Sequence, residues 1–167
     1  LVPRKGIDNV IRSMALLPRN LRARLIVVGG DSPVPDEALT PEIGRLRQIA
    51  REFAVEDRVR FLGHRQGADL RTCYGAADVF VTTPWYEPFG ITPLEAMACG
   101  VPVIGSGVGG IQHSVEDGVT GYLVPPKDPA ALADKLLTLH CNPALAAAFG
   151  RAGIRRVRSL FTWHRVA

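Results

Sequence analysis

Pro84-Trp85-Tyr86-Glu87-Pro88-Phe89-Gly90-Ile91-Thr92-Pro93-Leu94-Glu95-Ala96-Met97-Ala98-Cys99-Gly100 comes shortly after the apolar run Val79-Phe80-Val81. That run reads as a buried strand. The quoted stretch reads as a turn followed by a helix. Thr92 suits the N-cap, Pro93 the first helical position, and Glu95, three residues after the cap, completes a capping box. Gly100 supplies the stop.

The chemistry of this stretch follows from its residue types. Gly90 has no side chain to keep a ligand off the backbone. The free N–H groups and positive end of the new helix attract an anion, most naturally a phosphate. Glu87 and Glu95 bracket the turn, and acids repel phosphate, so they suit hydroxyl groups that donate hydrogen bonds. A phosphate between two sets of hydroxyls describes a nucleotide-sugar.

Outward from this unit, strands and helices alternate. Ile7, Val10, Ile11, Met14 and Ala15 share one helical face, stopped at Pro18. Leu25-Ile26-Val27-Val28 is a buried strand ended by Gly29-Gly30, and a polar loop runs from Asp31 to Leu39. Thr40 and Pro41 open a helix with Ile43, Leu46, Ile49, Ala50 and Phe53 on one side. Val59 to Leu62 is the next strand, and Asp69 to Ala77 a short helix. Beyond Gly100 come Val103-Ile104, a short helix at Ile111–Glu116, the strand Tyr122-Leu123-Val124, a helix capped by Asp128 and another opened by Asn142 and Pro143. This alternation predicts an α/β fold with one parallel sheet between helical layers. The Gly29-Gly30, Gly63-His64, Pro84–Gly90 and Gly105–Gly110 turns all follow strands and are expected on one rim, where such sheets bind ligands.

Length and composition set bounds. A chain of 167 residues is one domain by size. No apolar run is long enough to span a membrane and no signal-peptide pattern opens the chain, and Leu1-Val2-Pro3-Arg4 reads as native sequence continuing into the first helix. Cys73, Cys99 and Cys141 have no metal-ligand spacing and apolar or small neighbours, so reduced, buried thiols and a cytoplasmic setting are expected. The net charge is +4, with lysine only at 5, 127 and 135 and arginine supplying the rest of the 20 basic residues. No aromatics interleave with the arginines of the last helix, which argues against nucleic acid. That basicity also suits anionic donors or peripheral contact with anionic lipids. No His, Cys and acid cluster predicts a metal site.

Glu87-Pro-Phe-Gly-Ile-Thr-Pro-Leu-Glu95 resembles the Glu-x7-Glu signature of the retaining family 4 (group 1) glycosyltransferases. The likeness continues through Glu95-Ala-Met-Ala-Cys-Gly-Val-Pro-Val-Ile104, Gly109-Gly110 and Asp117-Gly-Val-Thr-Gly-Tyr-Leu-Val-Pro-Pro-Lys-Asp128, and runs from about Lys5 to Trp163. It implies a Rossmann-like, three-layer domain, the C-terminal, donor-binding half of a GT-B fold. The activity implied is transfer of a hexose from a UDP-, GDP- or ADP-type donor to an acceptor hydroxyl with retained configuration, needing no cofactor. Residues 1–167 would then be a single nucleotide-sugar-binding domain cut at both ends from a longer polypeptide whose N-terminal half binds the acceptor. The family's arginine shortly before its Lys-Gly would fall before Leu1.

By that resemblance Glu87 contacts the transferred hexose, Glu95 binds the ribose hydroxyls, and Lys5 neutralises the departing diphosphate. Phe89, Gly90 and Ile91 offer backbone N–H groups, Thr92 its hydroxyl, and Gly29 and His64 complete the donor rim. His113 stands where the family often has glutamate, and His140 and His164 read as surface residues. The Gly105-Ser-Gly107-Val-Gly-Gly110 run imitates a dinucleotide fingerprint, but it comes late in the chain with no ribose-binding acid in a clear second strand. The rivals are a nucleotide-sugar epimerase, which the Glu-x7-Glu pattern opposes, and a non-catalytic nucleotide- or sugar-binding module. A glycosidase carboxylate pair would leave the anion-ready helix start unexplained. The isolated chain is expected to bind UDP, GDP or ADP weakly, if at all, and to transfer nothing.

Overall fold

The computed structural model describes residues 1–161. The readings made on Trp163 and His164 lie outside them. Five strands, β1 (Leu25–Val28), β2 (Val59–Gly63), β3 (Phe80–Thr82), β4 (Val103–Ser106) and β5 (Gly121–Val124), alternate with helices. The helices are α1 (Ile7–Leu16), α2 (Pro41–Glu52), α3 (Gly67–Gly75), α4 (Ile91–Ala98), α5 (Ile111–Ser114), α6 (Pro129–Cys141) and α7 (Pro143–Leu160). All strand pairings are parallel, as the alternation predicts.

Strand β4 shows why the architecture has three layers. All four of its residues are buried. Successive side chains point to opposite faces. Val103 packs in a cluster with Tyr74, Ala96, Met97, Ile111 and Val115, contributed by α3, α4 and α5 and the residue after α5. Ile104, one position on, packs instead with Val10, Leu132, Leu139 and Phe149 from α1, α6 and α7. A continuous apolar strand is thus covered on both sides. A third cluster, with Ile11, Met14, Leu46, Ile49 and Ala133, joins α1, α2 and α6.

The structure corrects the sequence reading in several places. The backbone ladders form two groups, β1–β2 and β3–β4–β5, rather than one continuous sheet. Side chains bridge the interval, since Leu25 of β1 packs in the same cluster as Val79 and Val81. Helix α4 starts at Ile91 with Gly90 as N-cap at φ +68°, and no side chain caps it. The expected Thr92–Glu95 capping box is absent because the left-handed glycine turns the chain into the helix earlier. Pro93 is tolerated inside the first turn, where its missing N–H costs no helical bond. Asp128 does cap α6, accepting from the Ala131 N–H at 2.9 Å, and Gly100 ends α4 at φ +79°. Asn142 precedes α7 without capping it.

The cysteines were expected to be buried, but Cys99 and Cys141 are exposed and Cys73 is half-buried, all three as free thiols. Ala96 and Met97 take the inward face of α4 and leave the two residues that follow, Ala98 and Cys99, outside.

Candidate functional site

The site is assembled from segments far apart in sequence. A 3-10 turn at Pro3–Lys5 ends at Gly6, whose φ is +67°. The Gly6 carbonyl accepts from the Thr83 hydroxyl at 2.9 Å, and the Trp85 N–H donates to the Arg4 carbonyl at 3.2 Å. These bonds lay residues 4–6 against the chain leaving β3. Glycine is required at position 6, because a Cβ there would lie 1.9 Å from the Thr83 carbonyl oxygen. At the other end of the same segment, the Leu1 side chain lies against Gly29 (a Cβ on Gly29 would fall 2.9 Å from Leu1 Cδ2). Residues 1–6 thus span the rim from the end of β1 to the end of β3.

This docking brings Lys5 to Glu87. The Lys5 ammonium donates to Glu87 Oε2 at 2.5 Å, and the Gly90 N–H reaches Glu87 Oε1 at 3.5 Å. The Glu87 side chain is only 16% exposed. Burial by itself pushes this carboxyl up, but the hydrogen bond and charge of Lys5, helped by the Gly90 and Phe89 N–H groups, hold it below its ordinary value. The folded pKa is therefore below the unfolded one. Its stabilising contribution is complete above the unfolded carboxylate value of about 4.3 and is lost as pH falls through the folded value. Denaturant titrations at stepped acid pH should show the parent losing more stability below about pH 4 than Glu87→Gln does. Parallel curves for the two proteins would remove this assignment.

The opposite wall is the turn before α5. The Gly110 N–H donates to the Glu87 carbonyl at 3.0 Å, and a Cβ on Gly110 would lie 2.2 Å from the Phe89 carbonyl oxygen. The Ser114 hydroxyl donates to the Gly110 carbonyl at 2.6 Å. Arg156 of α7 fixes the far end of α5, donating to the carbonyls of Ser114 and His113 at 2.9 Å and pairing with Glu116 at 2.8 Å. The Gly109-Gly110 pair is therefore a close-packing device for the Glu87–Phe89 backbone.

The other candidates sit as follows. Ile91 and Thr92 open α4, where no preceding turn offers their N–H groups a helical carbonyl. The Phe89 and Ile91 side chains are exposed, at 76% and 62%. Glu95 lies one helical turn along α4 and takes no part in the Lys5–Glu87 pair. Its Oε2 accepts from the Tyr74 phenol at 2.9 Å. Gly29 and His64 belong to a second loop pair at the ends of β1 and β2, joined by the Gly29 N–H to the Gly63 carbonyl at 2.8 Å. The exposed His64 ring lies 3.3 Å from the Gln66 amide.

Sequence reading did not single out Tyr74. Its signal was available in retrospect: a tyrosine on the inward face of a short helix needs a partner for its hydroxyl.

The family model described as glycosyl transferases, group 1, matches residues 1–156. D-inositol 3-phosphate glycosyltransferase of Saccharomonospora viridis is 37% identical over 98% of this chain and 38% of its own length. Mannosylfructose-phosphate synthase of Agrobacterium fabrum is 34% identical over 100% of the chain and 37% of its own length. The chain thus spans well under half the length of the curated relatives it matches. Among solved structures, sucrose-phosphate synthase from Thermosynechococcus elongatus superposes with a TM-score of 0.88 at 40% identity, covering 98% of this chain and 40% of that one. HepE of Anabaena, solved in complex with UDP and glucose, superposes with a TM-score of 0.84 at 30% identity, covering 95% of this chain and 41% of that one. The strand–turn–helix order, the glycine-walled turn around Glu87 and these matches agree, and the chain belongs to the group 1 glycosyltransferases.

Proposed function

We propose that this domain binds the donor for a retaining hexosyl transfer from a nucleoside-diphosphate sugar to an acceptor hydroxyl, the acceptor being held by polypeptide outside residues 1–167. The observation that carries this reading is the Lys5–Glu87 pair at the start of α4. A lone acid there would repel a diphosphate, and a lone lysine would not orient a sugar. Together they offer a cation for the leaving diphosphate and an acceptor for hexose hydroxyls within one hydrogen bond of each other.

In this reading Lys5 and the N–H groups of Ile91 and Thr92 stabilise charge as it develops on the diphosphate, a fixed electrostatic arrangement that needs no rearrangement during the reaction. Glu87 holds the hexose, and Glu95, farther along α4, accepts from the ribose hydroxyls. The complex of HepE with UDP and glucose supports a donor of this chemical class. Relatives named as a glycosyltransferase and as synthases support transfer over isomerisation.

Calorimetric titration of the chain with UDP, GDP and ADP tests the ribose assignment. Glu95→Gln keeps the shape of the side chain but removes its charge, so the preferred nucleotide should bind about tenfold more weakly. Binding equal to the parent, in a variant that melts like the parent, would show that Glu95 does not hold the ribose.

A further inference from the structure

We propose that Tyr74 is a positioning residue for nucleotide recognition, holding the Glu95 carboxylate so that its other oxygen faces the ribose diol. This rests on the ribose role proposed for Glu95.

The geometry is specific. Tyr74 lies on α3 and is 8% exposed. Its ring is fixed by Phe80 of β3, which it meets edge-on at 5.4 Å and 69°. Its phenol donates to Glu95 Oε2 at 2.9 Å. Burial, followed by the bond to Glu95, raises the phenol's pKa above its ordinary value, so the group stays a neutral donor throughout the physiological range.

Glu95 itself is exposed. An exposed glutamate on a helix ordinarily samples several rotamers, and ligand binding must then order it. A carboxylate has about four acceptor positions, and among the described residues the phenol is the one hydrogen-bond partner of the Glu95 carboxylate, at Oε2, which leaves Oε1 available. The free oxygen can take a vicinal diol once the first bond has fixed the plane of the group. The buried phenol therefore removes part of the ordering cost before any nucleotide arrives, so the ribose end of the site is organised in advance.

The test compares UDP, GDP and ADP with their 2′,3′-dideoxy forms, titrated into the parent chain, Tyr74→Phe, Glu95→Gln and the double variant, by calorimetry or NMR at millimolar nucleotide. The parent should prefer the ribose form. Tyr74→Phe should weaken that form about fivefold and leave the dideoxy form unchanged, because one net hydrogen bond of positioning is lost. In the double variant the Tyr74 change should add no further loss, since it acts through Glu95. A purely structural tyrosine would weaken both forms alike, and that result overturns the inference, as does an unchanged preference for ribose in Tyr74→Phe. A parent that does not distinguish the two forms, or binds neither, overturns the Glu95 reading and this inference with it. A parent that distinguishes them while Tyr74→Phe distinguishes them equally well sinks only the positioning role.

Discussion

Gly6→Ala is expected to lower stability by about 4 kcal/mol or more, a fall in melting temperature of roughly 10 °C for a chain of this size. Two costs add. The left-handed backbone at φ +67° disfavours any side chain, by about 1–2 kcal/mol. The new methyl would also enter the Thr83 carbonyl oxygen, which stands 1.9 Å from the Cβ position. Relief of that overlap requires residues 4–6 to lift from the end of β3. Such movement breaks the Thr83 hydroxyl's bond to the Gly6 carbonyl and the Trp85 bond to Arg4. The loss of function should exceed the loss of stability, since Lys5 travels with the segment. Thermal denaturation of the purified variant checks the first part. A melting temperature within a degree or so of the parent's would mean that the N-terminal turn is not docked as described.

Lys5→Ala should abolish detectable binding of nucleoside diphosphates, through a loss of about 100-fold in affinity. It removes the cation proposed for the diphosphate and also leaves the half-shielded Glu87 carboxylate without its counter-charge, directed at the same place. The two effects separate in the double variant. Lys5→Ala with Glu87→Gln restores electrical balance and should recover most of the lost stability, yet nucleotide binding should stay weak because the cation is still missing. Nucleotide affinity restored when Glu87→Gln is added to Lys5→Ala would show that Lys5 serves only to neutralise Glu87. In an intact enzyme, the same substitution should reduce transfer about 100- to 1,000-fold, the scale seen when a fixed stabilising group for developing charge is removed.

The features legible in the sequence were mainly those decided locally. The strand runs, the Asp128 cap and the Gly100 stop each depend on residues a few positions apart, and the structure shows them where the pattern put them. The start of α4 was misread because its geometry is set from a distance. Gly90 lies against Gly110, Ile111 and Ser114, none of them visible to a local capping rule. The cysteines misled because apolar neighbours indicate which face of a helix is inward, not whether the next residue shares it. That Lys5 and Glu87 belong to one site was legible only through the family resemblance, and their direct pairing across 82 positions was not legible at all. Tyr74 passed unnoticed for a related reason: its acceptor lies on the following helix, 21 positions later.

Arg156 carries a consequence for the order in which the domain matures. It clamps α5 from a helix near the end of the described chain, reaching back 42 positions to Ser114. Such a contact closes a loop of 42 positions, shorter than the 82 that separate Lys5 from Glu87. As the chain emerges from a ribosome, the glycine turn beside Glu87 lacks this anchor until α7 follows, and the same helix brings Phe149 to the face of β4. The corner around Glu87 is therefore completed from the C-terminal side, together with one face of the core.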